Sequence, residues 1–561
     1  MAQPADGKQL KVILDKAHRE AEERDAQRRA LQLGAPYINL IIQPIETEAL
    51  ELISEERARD AQVATIEKKT NNVVLVAFDH TLPKVQEIIN DLNKKGFNPK
   101  IFVVSLTSLQ KAWDFYKYIS SKTAPISGRM DLDQDQVKKL ISKLTDLAAV
   151  KEQIENFDFK KLPTAKILEI ILAGALANRA SDIHFEPSQE TIKIRYRIDG
   201  DLNDVLDDFK SSLYPYVVSR IKLLSGLKLN IKDQAQDGRF TIALGTKEIE
   251  LRIAIAPSEF GEVVVIRVLD PDSIDLSLND LGMRLDDLVI INTELKRPNG
   301  MILNTGPTGS GKTTTLYTFL KSINSPESKI ITIEDPIEYH VKGLEQTQVD
   351  LKANYTFANG LRSIMRQDPD VILIGEIRDL ETATISIQAA LTGHLVFSTV
   401  HANEASGAIP RLVDLGVKPT SIGSSINLII AQRLVKRLCD KCKVLEKIDP
   451  KLKTKITKFI KSLPDKINKN DYSEIKIYKP KGCPFCANRG YKGRIGIYEL
   501  LRIDKKIETM LVEKVSEIEI QEYALNQGMV TMQQDGILKV VKGITTFEEV
   551  EKLTGPVSFS D

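Results

Sequence analysis

No apolar stretch in this chain reaches the roughly 20 residues that a helix needs to cross a bilayer. The opening Met1-Ala2-Gln3-Pro4-Ala5-Asp6 also lacks the apolar core of a secretory signal, so the chain is expected to stay in the cytosol. An excess of one charge is missing too. Lys plus Arg number 78 and Asp plus Glu 77, a balance that gives no support to a nucleic-acid binder. Cysteine is scarce, and all four cysteines fall in two C-x-x-C pairs, Cys439/Cys442 and Cys483/Cys486. None is left over for the disulfide framework of a small secreted domain, and the pattern points to metal.

What is present is an ordinary globular composition, 42% hydrophobic and 28% charged, spread over 561 residues. One hydrophobic core rarely grows so large, so two to four domains are expected.

The most informative run is Gly306-Pro307-Thr308-Gly309-Ser310-Gly311-Lys312-Thr313. It has the P-loop pattern: two glycines with four residues between them, then Lys, then Ser or Thr. Gly306, Gly309 and Gly311 let successive backbone N–H groups turn toward phosphate oxygens, an approach that a Cβ would obstruct. Lys312 would meet the β- and γ-phosphates of ATP, and the Thr313 hydroxyl would bind Mg²⁺. The context agrees, since residues 301–303 read as a buried strand. Residues 314–320, with Thr314 at their head, read as a helix whose N-terminus faces the phosphates.

The rest of the chain divides by pattern. Residues up to about Leu31 are charged and helix-forming, which reads as a solvated helix. Between 37 and 120 the pattern alternates, with strands at 73–78 and 101–104 and helices at 82–95 and 109–118. The segment 121–128 has linker composition. An apolar-faced helix at 164–180 then precedes strands at 192–198, 240–243, 249–256 and 263–268, and Asp270-Pro271-Asp272 reads as a hinge. Beyond residue 281, strand and helix alternate as in a parallel sheet with crossover helices.

Three apolar strands after the P-loop end in polar boxes, the place where ligands collect in such sheets. Residues 330–333 run into Glu334-Asp335-Pro336-Ile337-Glu338. Residues 371–374 run into Gly375-Glu376, and residues 395–400 are bracketed by His394 and His401. Cleavage of a γ-phosphate asks for a metal, an oriented water and cations on the developing charge. Glu338 is the candidate for orienting the water and Glu376 for holding Mg²⁺ through water. Glu334 and Asp335 are expected to line the nucleotide. His394 and His401 are candidates for sensing the γ-phosphate or bridging subunits.

Taken in order, these boxes and Arg179-Ala180-Ser181-Asp182-Ile183-His184, Arg195-Tyr196-Arg197-Ile198-Asp199-Gly200, Gln236-Asp237-Gly238-Arg239 and Gly261-Glu262 resemble the secretion and pilus ATPases of the GspE/PilB branch. The resemblance implies an α/β fold: a RecA-like P-loop ATPase domain at 276–561 with an inserted four-Cys lobe at 436–490. Before it would come a second N-terminal α+β domain at 164–275, a linker and helix at 121–163, and a smaller docking domain with a leading helix at 1–120. It also implies a homo-hexameric ring in which arginines of the second N-terminal domain reach the γ-phosphate, the pool here being Arg195, Arg197, Arg239 and Arg252. The implied partners are an inner-membrane platform protein and a cytoplasmic docking protein, with peripheral membrane association through them and no nucleic acid.

Four thiolates in two pairs suit a structural, tetrahedral Zn²⁺ with no open position for chemistry. The lysines of the same lobe, Lys451, Lys453, Lys455, Lys458 and Lys461, read as a solvated face. Thr545 and Glu548 have capping-box spacing for a final helix. An assembly motor is favoured over a retraction motor because of the four-cysteine lobe and the long N-terminal region. The remaining alternatives are a type II secretion ATPase, a nucleic-acid translocase and a scaffold that binds ATP without cleaving it.

Overall fold

The computed structural model describes residues 7–40, 45–69, 71–116, 129–131, 134–157, 164–244, 247–271, 276–513 and 515–559. The linker at 121–128 and Asp272 of the hinge lie outside the described residues.

The first unit has a three-stranded sheet, Val63–Lys69, Asn72–Ala77 and Asn98–Val103, whose first pair is antiparallel and second parallel. Helix Pro83–Lys94 packs on it through Val85, Ile88, Ile89 and Leu92, the i, i+3, i+4, i+7 stripe of an amphipathic helix. The leading helix, Gly7–Leu33, exposes most of its described side chains, as expected of a solvated helix, and buries one stripe at Glu23, Ala26 and Ala30. Its Glu23 is buried and accepts hydrogen bonds from the hydroxyls of Tyr37, Ser105 and Ser108, which is how a carboxylate is tolerated there.

The second unit is a seven-stranded sheet in the order Arg129–Asp131, Gln236–Leu244, Lys247–Ser258, Gly261–Leu269, Ala180–Pro187, Ile192–Ile198, Asp201–Phe209. Helices Thr164–Ala177 and Tyr214–Leu224 cover one face. The expected helix at 164–180 stops at Ala177, and Arg179, with φ of 55°, turns the chain into strand Ala180–Pro187. Strand Asp201–Phe209 was not anticipated, because Asp is a poor strand former. It forms because Asp199 and Gly200, at φ of 53° and 97°, make a two-residue hairpin that pairs Ile198 with Asp201.

The third unit is built on a sheet ordered Glu345–Gln348, Ile330–Glu334, Val371–Ile374, Leu395–Val400, Gly300–Thr305, Ile426–Leu438, Tyr491–Arg502. Only the last pairing is antiparallel. Every residue of Gly300–Thr305, Ile330–Glu334, Val371–Ile374 and Leu395–Val400 is buried, as expected of parallel strands covered on both faces. Past the sheet, the 13-residue strand Ile426–Leu438 and the 12-residue strand Tyr491–Arg502 run out as an antiparallel ribbon. The ribbon carries the lobe with the four cysteines, helix Pro450–Ser462 and the short pair Val444–Leu445 and Tyr478–Lys479. The final helix, Phe547–Thr554, starts one residue later than its box suggests. Thr546 caps it by accepting from Glu549 N, while the Thr545 hydroxyl donates to the Lys436 carbonyl.

Candidate functional site

The P-loop leaves strand Gly300–Thr305 and enters helix Lys312–Ile323. Gly306, Gly309 and Gly311 all have positive φ, at 153°, 79° and 88°. A Cβ on Gly306 would lie 2.6 Å from the Gln432 carbonyl oxygen, and one on Gly311 would lie 2.9 Å from Gln432 Nε2. Only glycine fits between this loop and the neighbouring strand. The Lys312 ammonium folds back onto the Gly306 and Pro307 carbonyls at 2.8 and 3.1 Å. Burial pushes its pKa down, Glu376 works against that and Arg433 adds to it. The Ser310 hydroxyl is buried without a hydrogen-bond partner among the described residues. A glycine-rich turn leading into a helix N-terminus, an ammonium and an orphaned hydroxyl fit a polyphosphate. Thr313 opens the helix beside Lys312, where its hydroxyl suits a Mg²⁺ ligand.

Glu376, His401, Arg378 and Asp335 gather at the ends of adjacent strands. His401 Nε2 lies 3.5 Å from Glu376 Oε2. Arg378 pairs with Glu376 and reaches Asp335 at 3.8 Å. The loop after His401 is fixed by reciprocal bonds: the Thr305 hydroxyl donates to the Ala402 carbonyl at 3.0 Å and accepts from Ala402 N at 2.8 Å.

Two expected residues are not placed at the phosphates. His394 stands at the start of strand Leu395–Val400, with Nδ1 3.0 Å from the Ala389 carbonyl. A strand of this length spans roughly 20 Å, so His394 is at the far end of the sheet from His401 and cannot sense the γ-phosphate in its own subunit. The Glu334 carboxylate turns inward, 4% exposed, and accepts from Tyr317, from Thr332 at 2.6 Å and from Gln346 at 3.2 Å. Burial raises its pKa against the pull of these three donors. Its side chain does not line the nucleotide.

Glu338 faces the second unit, where Arg252 Nη1 lies 3.0 Å from its Oε2 and Arg252 Nη2 donates to the Ile337 carbonyl. Strand register puts Arg239 opposite Arg252, Arg252 opposite Arg267, Arg267 opposite Asp182 and Asp182 opposite Arg197. Directly paired residues share a face some 5 Å apart, and carboxylates temper the repulsion in this row, Glu250 lying 3.1 Å from Arg252 and Asp182 3.2 Å from Arg267. Arg239, Arg252 and Arg267 line an open cleft of about 600 Å³ together with Asp182, Asp237 and Pro336 of the acidic box. Arg195 and Arg197 are not among the residues lining this cleft. Arg195 pairs with Glu186 at 2.8 Å, and Arg197 reaches Asp182 at 3.6 Å and the Gly200 carbonyl at 2.9 Å.

Sequence reading missed Arg267 and Arg433. Only the pairing of strands brings Arg267 into the row. Arg433, on the strand behind the P-loop, donates to the backbone and side-chain oxygens of Asn403 at 3.1 and 3.2 Å, and burial lowers its pKa. The Asn403 contact, 30 residues away in sequence, left no local signal.

The four cysteine sulfurs lie within 4.8 Å of one another. The separations Cys439–Cys483, Cys442–Cys486 and Cys483–Cys486 are 3.9, 3.8 and 3.8 Å. Bonds of about 2.3 Å in a tetrahedron require edges of about 3.8 Å, so the sulfurs already fit Zn²⁺. The Cys483 and Gly490 amides both donate to Cys486 Sγ at 3.2 Å.

Residues 159–552 match the family model described as "Type II/IV secretion system protein". The chain belongs to this family. Membership makes it an ATPase of the secretion and pilus class. The chain is 36% identical to the type IV pilus assembly ATPase PilB of Myxococcus xanthus, over 94% of this chain and 90% of that one. It is 43% identical to the type II secretion system protein E of Aeromonas hydrophila, over 70% of this chain and 76% of that one. The structure of the Legionella pneumophila ATPase DotB, 20% identical, aligns with 71% of this chain and 97% of its own at a TM-score of 0.51, a likeness of fold. Among the described residues of this family member, no helix is long and apolar enough to cross a membrane.

Proposed function

We propose that the chain is a ring-forming motor of type IV pilus assembly, in which ATP cleaved between the P-loop unit and the arginine-bearing sheet moves the two against each other. The observation that carries this reading is the row Arg239, Arg252 and Arg267, three like charges held in register along a cleft that Pro336 of the acidic box also lines. At rest, carboxylates hold two members of the row, Glu250 and Glu338 on Arg252 and Asp182 on Arg267. With a γ-phosphate in the cleft the row would supply the cations that the leaving charge needs.

P-loop amides and Lys312 hold the β- and γ-phosphates in this scheme, and Thr313 and Glu376 hold Mg²⁺, directly and through water. Mg²⁺ would neutralise charge on the phosphates. Glu338 orients the attacking water once Arg252 leaves it for the γ-phosphate. His401, beside Glu376, reports on the γ-phosphate, whereas His394 is left with a role between subunits. Cys439, Cys442, Cys483 and Cys486 hold a structural Zn²⁺ that closes the lobe.

The unit boundaries proposed are 1–120, 121–163, 164–275 and 276–561, with six copies in the ring. The motor would sit at the cytoplasmic face of the inner membrane, bound to a platform protein and a docking protein and not to nucleic acid. Alignment with the pilus ATPase over 94% of the chain supports pilus assembly. The higher identity to the type II secretion protein over 392 residues supports the second reading, secretion. Deleting the gene and scoring surface pili and secreted proteins separates the two. Loss of pili with normal secretion supports the proposal, and the reverse refutes it. Stimulation of ATP cleavage by DNA, and not by a platform protein, would refute both.

A further inference from the structure

The inward-turned Glu334 leaves a buried polar cluster that the chemistry above does not use. Tyr317 lies one helical turn beyond the P-loop residues on helix Lys312–Ile323, fully buried, and its hydroxyl donates to Glu334 Oε2. Gln346 Nε2 reaches Glu334 Oε1 at 3.2 Å, the Tyr317 hydroxyl at 3.3 Å and the Tyr339 carbonyl at 2.9 Å. Its Oε1 accepts from Val341 N at 2.7 Å. Gln348 Oε1 accepts from Ile337 N at 3.3 Å. Gln346 and Gln348 are two apart on the edge strand Glu345–Gln348, and alternation puts both on one face. They therefore grip the backbone on either side of Glu338, at Ile337 and at Tyr339 and Val341.

The geometry points to Tyr317, Glu334 and Gln346 as positioning residues that hold Glu338 at a fixed distance from the P-loop. Glu334 is the hub, because a carboxylate accepts from several donors at once and no neutral side chain of that size does the same. Thr332 fills a further acceptor position at 2.6 Å, so three donors hold the carboxylate without any nucleotide. The cluster spans from the helix that begins at Lys312 to the segment that carries the water-orienting carboxylate. A fully bonded buried network of this kind is stiff, and cutting one member loosens the rest. The cluster's task is alignment, and a small misplacement of a reacting group is costly in rate while leaving ground-state binding intact. This inference rests on the reading of Glu338 as the residue that orients water.

The test is single-turnover ATP cleavage by the full chain, with nucleotide affinity measured in parallel with a fluorescent ATP analogue. Tyr317→Phe, which keeps the ring and removes one donor, should slow cleavage about tenfold or more with affinity changed less than about twofold. Gln346→Leu should give the same pattern and guards against a poorly folded Tyr317 variant. On the slow residual cleavage of a Glu338→Gln background, followed over hours, both losses should vanish, because a misaligned group that is already gone costs nothing further. Equal losses in both backgrounds, a matching fall in affinity, or unchanged cleavage would overturn the positioning role alone. A wild type that cleaves no ATP would overturn the motor reading as well.

Discussion

Arg252 and Glu338, 86 residues apart in sequence, meet with Nη1 and Oε2 at 3.0 Å, and the same guanidinium holds the carbonyl of Ile337. The proposed phosphate cation and the proposed water-orienting carboxylate thus occupy each other. Under the proposed mechanism, a γ-phosphate arriving in the cleft would compete for Arg252 and free Glu338, linking the closing of the two units to the readiness of the base.

Arg252→Ala is therefore expected to lower the rate of ATP cleavage about a hundredfold or more, the effect of deleting a preorganised donor to developing charge. Arg252→Lys should recover little, since an ammonium lacks the planar fork that spans Glu338 and the Ile337 carbonyl. Phosphate release by the full chain measures both, and a rate near wild type for Arg252→Ala would remove it from the site.

Glu338→Gln should bind ATP normally and hold it uncleaved, because the amide keeps the shape and loses the basicity. Nucleotide recovered from the purified variant would be ATP where wild type yields ADP. Recovery of ADP in both would refute the assignment.

At the P-loop, Lys312→Ala should abolish productive ATP binding. Gly306→Ala should weaken it by a different route, forcing a Cβ to within 2.6 Å of the Gln432 carbonyl at a cost of roughly 1–3 kcal/mol. Titration with a fluorescent ATP analogue reads the first, and thermal unfolding reads the second. Unaltered unfolding with Gly306→Ala would show that the loop can move away from the strand behind it.

Metal analysis of the purified protein should find one zinc per chain, and a strong chelator should lower the lobe's unfolding temperature. The ligands bind as thiolates, so zinc should be retained at neutral pH and lost progressively as acid protonates them. Cys439→Ser should reproduce the chelator's effect on stability and leave nucleotide affinity at the P-loop intact. Full stability without bound metal would exclude a zinc site.

The P-loop, the acidic box and the cysteine pairs were legible in sequence because each packs its chemistry into a few consecutive residues. The α/β order of the last unit was legible for the same reason, as its buried strands are short unbroken apolar runs. What escaped depends on register. Arg239, Arg252 and Arg267 come from three strands, and only their pairing makes them a row and sets Arg195 and Arg197 aside. Glu334 looked like a ligand because it ends a strand at the right edge of the sheet. Its direction was decided by Tyr317 and Gln346, which no local pattern connects to it. Asp199-Gly200 was a readable hairpin signal for strand Asp201–Phe209, hidden by that strand's acidic composition.

The ribbon of Ile426–Leu438 and Tyr491–Arg502 has a mechanical consequence. The middle of the first strand, at Gln432 and Arg433, backs the phosphate loop and the turn after His401, while its C-terminal end leads into Cys439. The partner strand anchors that same turn, with Ala405 N donating to Glu499 at 2.9 Å. Under the proposed function, torque applied to the four-cysteine tip would pass along this ribbon, through the register shift between Lys436 and Leu438, to the strand that backs the phosphate loop, making the lobe a handle on the nucleotide site.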